Sequence, residues 1–199
     1  EFAAIDLYPA ALQAEIEAQH EWVYPTVNNG VYRSGFASKQ AAYEAAVIPL
    51  FESLDRLELL LEGKKKYIIG DQLTEADVRL FTTIVSRLFR RGVLSELTTT
   101  LRKVRFDPVY YTHFKTNINT IRAGFPNLNH WMKNLYHTIP AFGPGAPCSF
   151  SLPRTLTTDA DTTNFEHIKH HYMTSHPQLN PTRIVPVGPL PHIEPLTKE

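Results

Sequence analysis

A helix N-terminus is predicted by the stretch Leu73-Thr74-Glu75-Ala76-Asp77-Val78-Arg79-Leu80-Phe81. The Thr74 hydroxyl can accept a hydrogen bond from the backbone N–H of Asp77, and the Asp77 carboxylate can accept one from the backbone N–H of Thr74. Two backbone donors that a helix leaves unpaired are thereby satisfied. We therefore assign Thr74 and Asp77 a structural role as the helix cap. Loss of this cap in Asp77→Ala is expected to lower the free energy of unfolding by about 1 kcal/mol.

Helical periodicity extends on both sides of this cap. The strongest periodic segment begins at Ser38, a candidate N-cap, and stops at Gly63. Further helices are predicted over 8–27, 109–123, 128–138 and 164–175. A turn is predicted at Asn28-Asn29-Gly30, and the candidate strand seeds at 47–48 and 68–69 lack the alternation typical of a strand. The predicted fold class is all-α, a helical bundle with short connections.

Composition and charge bound the function classes. The 199 residues, 43% of them hydrophobic, are enough to bury one sizeable core. Twenty basic residues balance 20 acidic ones, so no overall field draws the protein to nucleic acid or to an anionic membrane. No apolar run approaches the roughly 18 residues of a membrane span. The one cysteine, Cys148, excludes an internal disulfide and agrees with a reducing compartment, so a cytoplasmic location is expected.

Two regions lack helical periodicity. Residues 140–161 carry Pro, Gly, Ser and Thr, which predicts a loop on the surface. Residues 177–199 are rich in proline and are predicted to form an extended tail over the domain. The expected organisation is a helical domain over 1–176, followed by this tail.

Four histidines near the C-terminus have a spacing that could suit a metal ion: His167, His170, His171 and His176. His167 and His171 would share a helix face at i, i+4. A zinc site usually requires further Cys, Asp or Glu ligands and a supporting shell, and histidines that are solvated or line a pocket are commoner. No metal site is therefore assigned.

Five stretches of the chain form a diagnostic set: 6–9 (DLYP), 27–37 (VNNGVYRSGFA), 73–81 (LTEADVRLF), 105–115 (RFDPVYYTHFK) and 164–176 (NFEHIKHHYMTSH). Together they resemble the glutathionyl-hydroquinone reductases, the Xi class of omega-like glutathione transferases. The third stretch is shared by many glutathione transferases, whereas the second and fifth are more specific. The resemblance implies the all-helical C-terminal domain of a glutathione S-transferase.

The resemblance also implies a two-domain, homodimeric enzyme. Its thioredoxin-like N-terminal domain binds the co-substrate glutathione and presents a cysteine in a Cys-Pro-Trp-Ala type motif, while the helical domain forms the pocket for an aromatic substrate. No such motif occurs in these 199 residues, so the thioredoxin-like domain is expected to be absent from this chain and no catalytic residue is assigned in it. Cys148 is no substitute, because it lies in the predicted loop with nothing nearby in the sequence to activate its thiol.

By the same resemblance, Tyr32 and Tyr172 match the substrate pocket. His171, in place of a metal-binding role, is expected to line this pocket beside Tyr172. The implied substrate is a glutathionylated quinol. A phenol suits it because a flat apolar ring can stack beside the quinol, while the O–H stabilises charge on a quinol oxygen or delivers a proton. From composition alone, each tyrosine would more often be a half-buried packing residue.

The chain departs from the family pattern in three places. Two insertions are expected, over 86–103 and 143–159, and the first interrupts a segment that normally lies in the domain core. The third departure is Thr116, where the family usually has Cys.

An alternative function class remains open. Helical domains of this type serve in some translation and scaffold proteins as non-catalytic protein-interaction modules. Those relatives lack the second and fifth stretches, and a Cys-Pro-Trp-Ala motif preceding residue 1 would reject this alternative.

Overall fold

Most of the chain is helical in the computed structural model, which describes residues 6–87, 102–104, 106–139, 142, 165–187 and 196. Its α-helices are α1 (Gln13–Val23), α2 (Gly30–Phe36), α3 (Gln40–Leu60), α4 (Glu75–Ile84), α5 (Tyr111–His113), α6 (Ile121–Gly124), α7 (Pro126–Thr138) and α8 (Phe165–Ser175). Two π-helical turns, Tyr24–Asn28 and Phe106–Tyr110, and two short strands, β1 (Val85–Arg87) and β2 (Arg102–Val104), complete the described elements. The predicted all-α class is confirmed.

Helix α3 lies at the centre of the core. Its residues Leu50, Leu54 and Leu57 are completely buried, and the helix packs against α2 and α7. The N-cap of this helix is Lys39, with no side-chain hydrogen bond to the first turn, so the prediction that Ser38 caps it was wrong. In the first turn of α3, the Tyr43 hydroxyl donates to the Lys115 carbonyl, so a tertiary contact rather than a local cap ties this turn to the rest of the fold.

The region between α1 and α2 differs from the sequence prediction. No open turn forms at Asn28-Asn29-Gly30, because the π-helical turn Tyr24–Asn28 leads into α2 through Asn29, whose φ and ψ of −90° and −25° are helical. The Asn28 side chain donates instead to the Arg79 carbonyl of α4, at 3.0 Å. Gly30 is buried against α3, where an added Cβ would lie 3.3 Å from Leu50 Cδ1. Tertiary contacts thus replace the turn.

The single helix predicted over 109–123 is also wrong. The structure divides this segment into α5 and α6, because Lys115 adopts a left-handed φ of 60° just after α5. Two contacts fix Lys115: its Nζ donates to the Gly35 carbonyl at 3.0 Å, and its own carbonyl accepts the Tyr43 hydroxyl at 2.6 Å. Both partners are distant in sequence, so helix propensity could not reveal the break.

Strands β1 and β2 pair antiparallel at the two ends of the first predicted insertion, with Val85 opposite Val104. Phe106, two residues after the end of β2, is completely buried. The pairing returns the chain to the core beside the point where it left α4. Residues 88–101 of this insertion, the second predicted insertion over 143–159, and Cys148 lie outside the described residues.

Three carboxylates tie helix starts to the rest of the fold. Asp77 accepts the backbone N–H of Thr74 at 3.0 Å in the α4 capping box. Glu58 accepts the backbone N–H groups of Asn127 and Leu128 in α7, both at 2.8 Å. Asp107 accepts those of Ile121 and Arg122 in α6, at 2.7 and 3.2 Å. Each carboxylate satisfies donors that the helix itself leaves unpaired.

The described part of the tail, residues 177–187, contains turns and no regular helix. Leu179 packs against the core, whereas Ile184 is 67% exposed and Val187 is fully exposed. The helices in the described ranges are too short or too polar to cross a membrane.

Candidate functional site

Four aromatic side chains from three parts of the chain meet on one side of the domain. This aromatic cluster consists of Tyr32 from α2, Tyr110 and Phe114 on either side of α5, and Tyr172 from α8. The rings of Tyr110 and Phe114 are stacked, with centroids 5.3 Å apart and planes inclined by 12°. Tyr32 lies 5.4 Å from Phe114, and Tyr172 stands edge-on to Tyr110 at 6.3 Å. The structure therefore brings the two tyrosines predicted for the pocket to the same stacked pair.

Burial divides the cluster into an inner and an outer part. Tyr110 and Phe114 are completely buried, and Tyr172 is nearly so. Tyr32 is half-buried, and its hydroxyl lies 3.4 Å from that of Tyr110, where either oxygen could donate. Phe36, which extends the cluster beyond Phe114, is 45% exposed. Of these rings, those of Tyr32 and Phe36 are appreciably exposed, so an aromatic ligand with hydroxyl groups could contact the cluster at this outer edge, beside the Tyr32 hydroxyl.

Glycine at position 35 permits this packing. An added Cβ would lie 2.4 Å from Phe114 Cδ1 and 2.9 Å from Phe114 Cβ, which no ordinary contact allows. Gly35 therefore lets the end of α2 approach the Phe114 ring. A glycine inside a helical pattern is a sequence signal that another part of the chain packs closely there. The pattern does not show that the packed residue is Phe114.

Two histidines border the cluster. His113 is buried, and its Nε2 lies 3.2 Å from Nδ1 of His176, which follows α8. Burial, His176 and the positive charge of Lys115 lower the pKa of His113 to about 4. His113 is consequently neutral at physiological pH and can act as a hydrogen-bond acceptor there.

The ring of His171 lies edge-on to that of Tyr172, with centroids 5.7 Å apart. It is half-buried, whereas His170 is exposed. The side chain of His167 is outside the described residues. Among the described residues, no three His, Cys, Asp or Glu side chains come together in a way that could hold a metal ion.

The sequence prediction for the site missed four residues that complete it: Gly35, Tyr110, His113 and Phe114. The i, i+4 spacing of Tyr110 and Phe114 is a signal that the two rings share a face, and the structure stacks them. The sequence positions of Tyr110 and Phe114 do not predict their contacts with Tyr172 and Tyr32, because each of these contacts joins residues more than 50 positions apart.

Thr116 lies just beyond the cluster and is completely buried, and its hydroxyl oxygen has no hydrogen-bond partner among the described residues. This is the position at which the resemblance expects Cys. A buried thiol requires a partner less than a buried hydroxyl does, so the substitution leaves a polar group unsatisfied here.

Residues 40–134, which run from the start of α3 into α7, match the family model for the glutathione S-transferase C-terminal domain. The glutathione transferase Xi of Phanerochaete chrysosporium matches over 98% of this chain, with 55% identity and a TM-score of 0.75. The chain is a glutathione S-transferase C-terminal domain, and it is similar over nearly its whole length to Xi-class and omega-like glutathione transferases. Tyr32 and Tyr172 lie outside the range of the family model.

Two further relatives of the domain carry functional names. The Schizosaccharomyces pombe protein named glutathione S-transferase omega-like 2 is 44% identical over 96% of this chain. The Escherichia coli glutathionyl-hydroquinone reductase YqjG is 42% identical over 92% of it, and the glutathione-bound structure of YqjG matches with a TM-score of 0.71. The chain spans about half the length of these relatives, 50% of the first and 44% of the second.

Proposed function

We propose that this chain is the substrate-pocket half of a glutathione-dependent reductase that removes glutathione from glutathionyl-hydroquinones. The supporting observation is the aromatic cluster, in which Tyr32 and Tyr172 flank the stacked rings of Tyr110 and Phe114. A quinol ring would lie against the outer edge of this cluster, beside half-buried Tyr32 and exposed Phe36. The name of the Escherichia coli relative gives independent support for this substrate class.

In the proposed reaction, a cysteine thiolate outside this chain attacks the sulfur of the glutathionyl thioether. The carbon–sulfur bond breaks, its electron pair passes to the quinol ring, and the ring carbon takes up a proton. A cysteine–glutathione mixed disulfide remains, which a second glutathione thiol resolves to free cysteine and oxidised glutathione. One glutathionyl-hydroquinone and one glutathione thereby give hydroquinone and glutathione disulfide.

The residues of this chain would bind the ring and manage its charge. Electron density reaches the quinol oxygens as the carbon–sulfur bond breaks, and a phenolic O–H placed at such an oxygen stabilises it or delivers a proton. The Tyr32 hydroxyl is suited to this role, because it is half-buried and lies 3.4 Å from the Tyr110 hydroxyl, which can relay or share a hydrogen. Neutral His113 adds no positive charge to the apolar wall.

The described cluster fits the aromatic part of the substrate better than the charged ends of glutathione. Its rings are apolar, and a neighbouring cation, Lys115, donates to the Gly35 carbonyl at 3.0 Å. We therefore place glutathione, as co-substrate, mainly on a domain outside this chain, and expect the chain alone to be inactive. A homodimer in the cytoplasm, where reduced glutathione is abundant, completes the proposal.

The test is the full-length protein with Tyr32→Phe and Tyr172→Phe combined, assayed for kcat/KM with a glutathionyl-hydroquinone. Loss of general acid and electrostatic assistance should lower kcat/KM by about 100-fold, while the rings and their packing remain. Tyr24→Phe is the matched control, because Tyr24 is 62% exposed and lies outside the cluster.

Unchanged activity in the double variant would overturn the proposed roles of the two tyrosines. A wild-type protein that binds glutathione but has no activity on any glutathionylated quinol would instead favour the non-catalytic interaction module.

A further inference from the structure

We propose that His113 and His176 form a positioning pair that holds Tyr172 in the aromatic cluster, an inference that rests on the proposed role of Tyr172. The pair connects the core to the C-terminal end of α8, the helix that carries Tyr172. His113 Nε2 and His176 Nδ1 are 3.2 Å apart, and each imidazole ring lies within 6.5 Å of the Tyr172 ring. Neither histidine is needed for the reaction steps proposed above.

The proton arrangement of the pair follows from its neighbours. His176 Nδ1 lies 3.3 Å from the backbone carbonyl of Tyr172, and a carbonyl can only accept a hydrogen bond. We assign the proton of His176 to Nδ1 on this ground, so that His113 Nε2 faces that N–H with its lone pair, and the Ser175 hydroxyl oxygen, 3.3 Å from the same Nδ1, is a further acceptor in this arrangement. One N–H of His176 is shared between the buried His113 and the backbone of Tyr172 itself.

Aromatic contacts hold the pair in the same orientation. The His176 ring is edge-on to Phe36 at 5.7 Å and to Phe114 at 5.9 Å. The His113 ring lies 5.2 Å from Phe114. The end of α8 is therefore attached to both α2 and the segment that follows α5, through a contact that requires an acceptor at position 113.

Protonation of His113 would remove that acceptor. An N–H on His113 Nε2 would face the N–H of His176, and His176 could accept it only by giving up its own donor to the Tyr172 carbonyl. Among the described residues, the groups that face His113 are His176, the Lys115 cation and the rings of Phe114 and Tyr172. None is an anion that would stabilise an imidazolium, and burial with these neighbours lowers the pKa of His113 to about 4.

The sign of the pH effect follows from this lowered pKa. Between the ordinary value of 6.5 and about 4, the unfolded chain binds a proton at His113 that the folded chain does not bind. The stability contributed by the neutral pair is therefore complete above about pH 6.5 and is lost as the pH falls toward 4. The end of α8 should loosen over the lower part of that range.

The experiment is hydrogen–deuterium exchange of α8 peptides in the full-length protein, with exchange rates corrected for their intrinsic pH dependence. His113→Phe keeps the ring but removes the acceptor, and should raise exchange in the last turn of α8 by about tenfold at pH 7. His113→Gln keeps an acceptor that does not titrate, and should retain wild-type protection at pH 7 and also at pH 4, where the wild type loses it. His170→Phe, on the exposed side of the same helix, is the matched control.

His176→Ala removes the pair from the half-buried side and serves as a second variant if His113→Phe folds poorly. The proposal is overturned if exchange in α8 is unchanged in both variants, if exchange rises uniformly over the described helices, or if His113→Gln behaves like His113→Phe. In the activity assay, kcat/KM should fall in His113→Phe and recover in His113→Gln. If the wild type has no such activity, the proposed function fails, while the exchange comparison still decides whether the pair positions α8.

Discussion

The surroundings of the buried Asp77 carboxylate differ from the aromatic cluster in how far they are closed to solvent. Asp77 is completely buried, and its two oxygens accept from the backbone of Ile68 and Thr74, the Thr74 hydroxyl and the Trp131 indole. Burial raises the pKa of Asp77, and these hydrogen bonds act in the opposite direction. The cluster instead holds rings together, and its outer members, Tyr32 and Phe36, remain accessible. Around Asp77, hydrogen bonds satisfy both carboxylate oxygens and the site is closed to solvent. The aromatic cluster instead has an exposed edge that a ligand could contact.

The largest change in stability is expected from removing the Asp77 carboxylate. Asp77→Ala should lower the free energy of unfolding by about 3–5 kcal/mol, because buried donors on three segments lose their acceptor at once. This exceeds the roughly 1 kcal/mol expected from the local cap alone. Chemical denaturation monitored by far-UV circular dichroism measures it, with Asp71→Ala, at an exposed position, as the control. A loss no larger than about 1 kcal/mol would show that the contacts to Ile68 and Trp131 add nothing to the cap.

A smaller loss of stability, but a larger loss of function, is expected from Gly35→Ala. The new methyl group would meet the Phe114 ring at 2.4 Å and force it out of the stack with Tyr110, at a cost of about 1–3 kcal/mol. Gly30→Ala in the same helix is the matched control, because its nearest contact is 3.3 Å from a flexible leucine methyl. The measurements are the melting temperature and kcat/KM of the full-length protein. Equal losses of activity in the two variants would contradict a specific role for the close approach at Gly35.

The smallest effect is expected at Thr116, where one substitution should increase the stability of the protein. Thr116→Val replaces a buried hydroxyl, for which the described part of the chain supplies no partner, by a methyl group of similar shape, and should raise the free energy of unfolding by about 1 kcal/mol. Thr116→Ser keeps the hydroxyl and loses the methyl, and should be less stable than the wild type by about 1 kcal/mol. Urea denaturation of the three proteins gives the comparison. A Val variant less stable than the wild type would mean that the hydroxyl is satisfied in solution.

The same two regions show what the sequence could predict. Thr74 and Asp77 are three residues apart, so their hydrogen bond is a local property and was predictable from the capping pattern. The bonds from Ile68 and Trp131 to the same carboxylate cross 9 and 54 positions, and no local pattern contains them. In the cluster, resemblance supplied Tyr32 and Tyr172, but the approach of Gly35 to Phe114 depends on how α2 lies against the segment after α5. The left-handed Lys115, which ends the predicted 109–123 helix, depends on the same packing.

The pairing of Val85 with Val104 has an evolutionary consequence. The two paired strands hold the ends of the segment between them close together. The positions at which the chain leaves and re-enters the core therefore do not depend on the length of that segment. Closing a flexible loop costs only about 0.6 kcal/mol more for each doubling of its length. This position is therefore one at which a lineage can gain or lose residues without remodelling the tyrosines downstream, and at which a reporter peptide can be grafted with little cost to the fold.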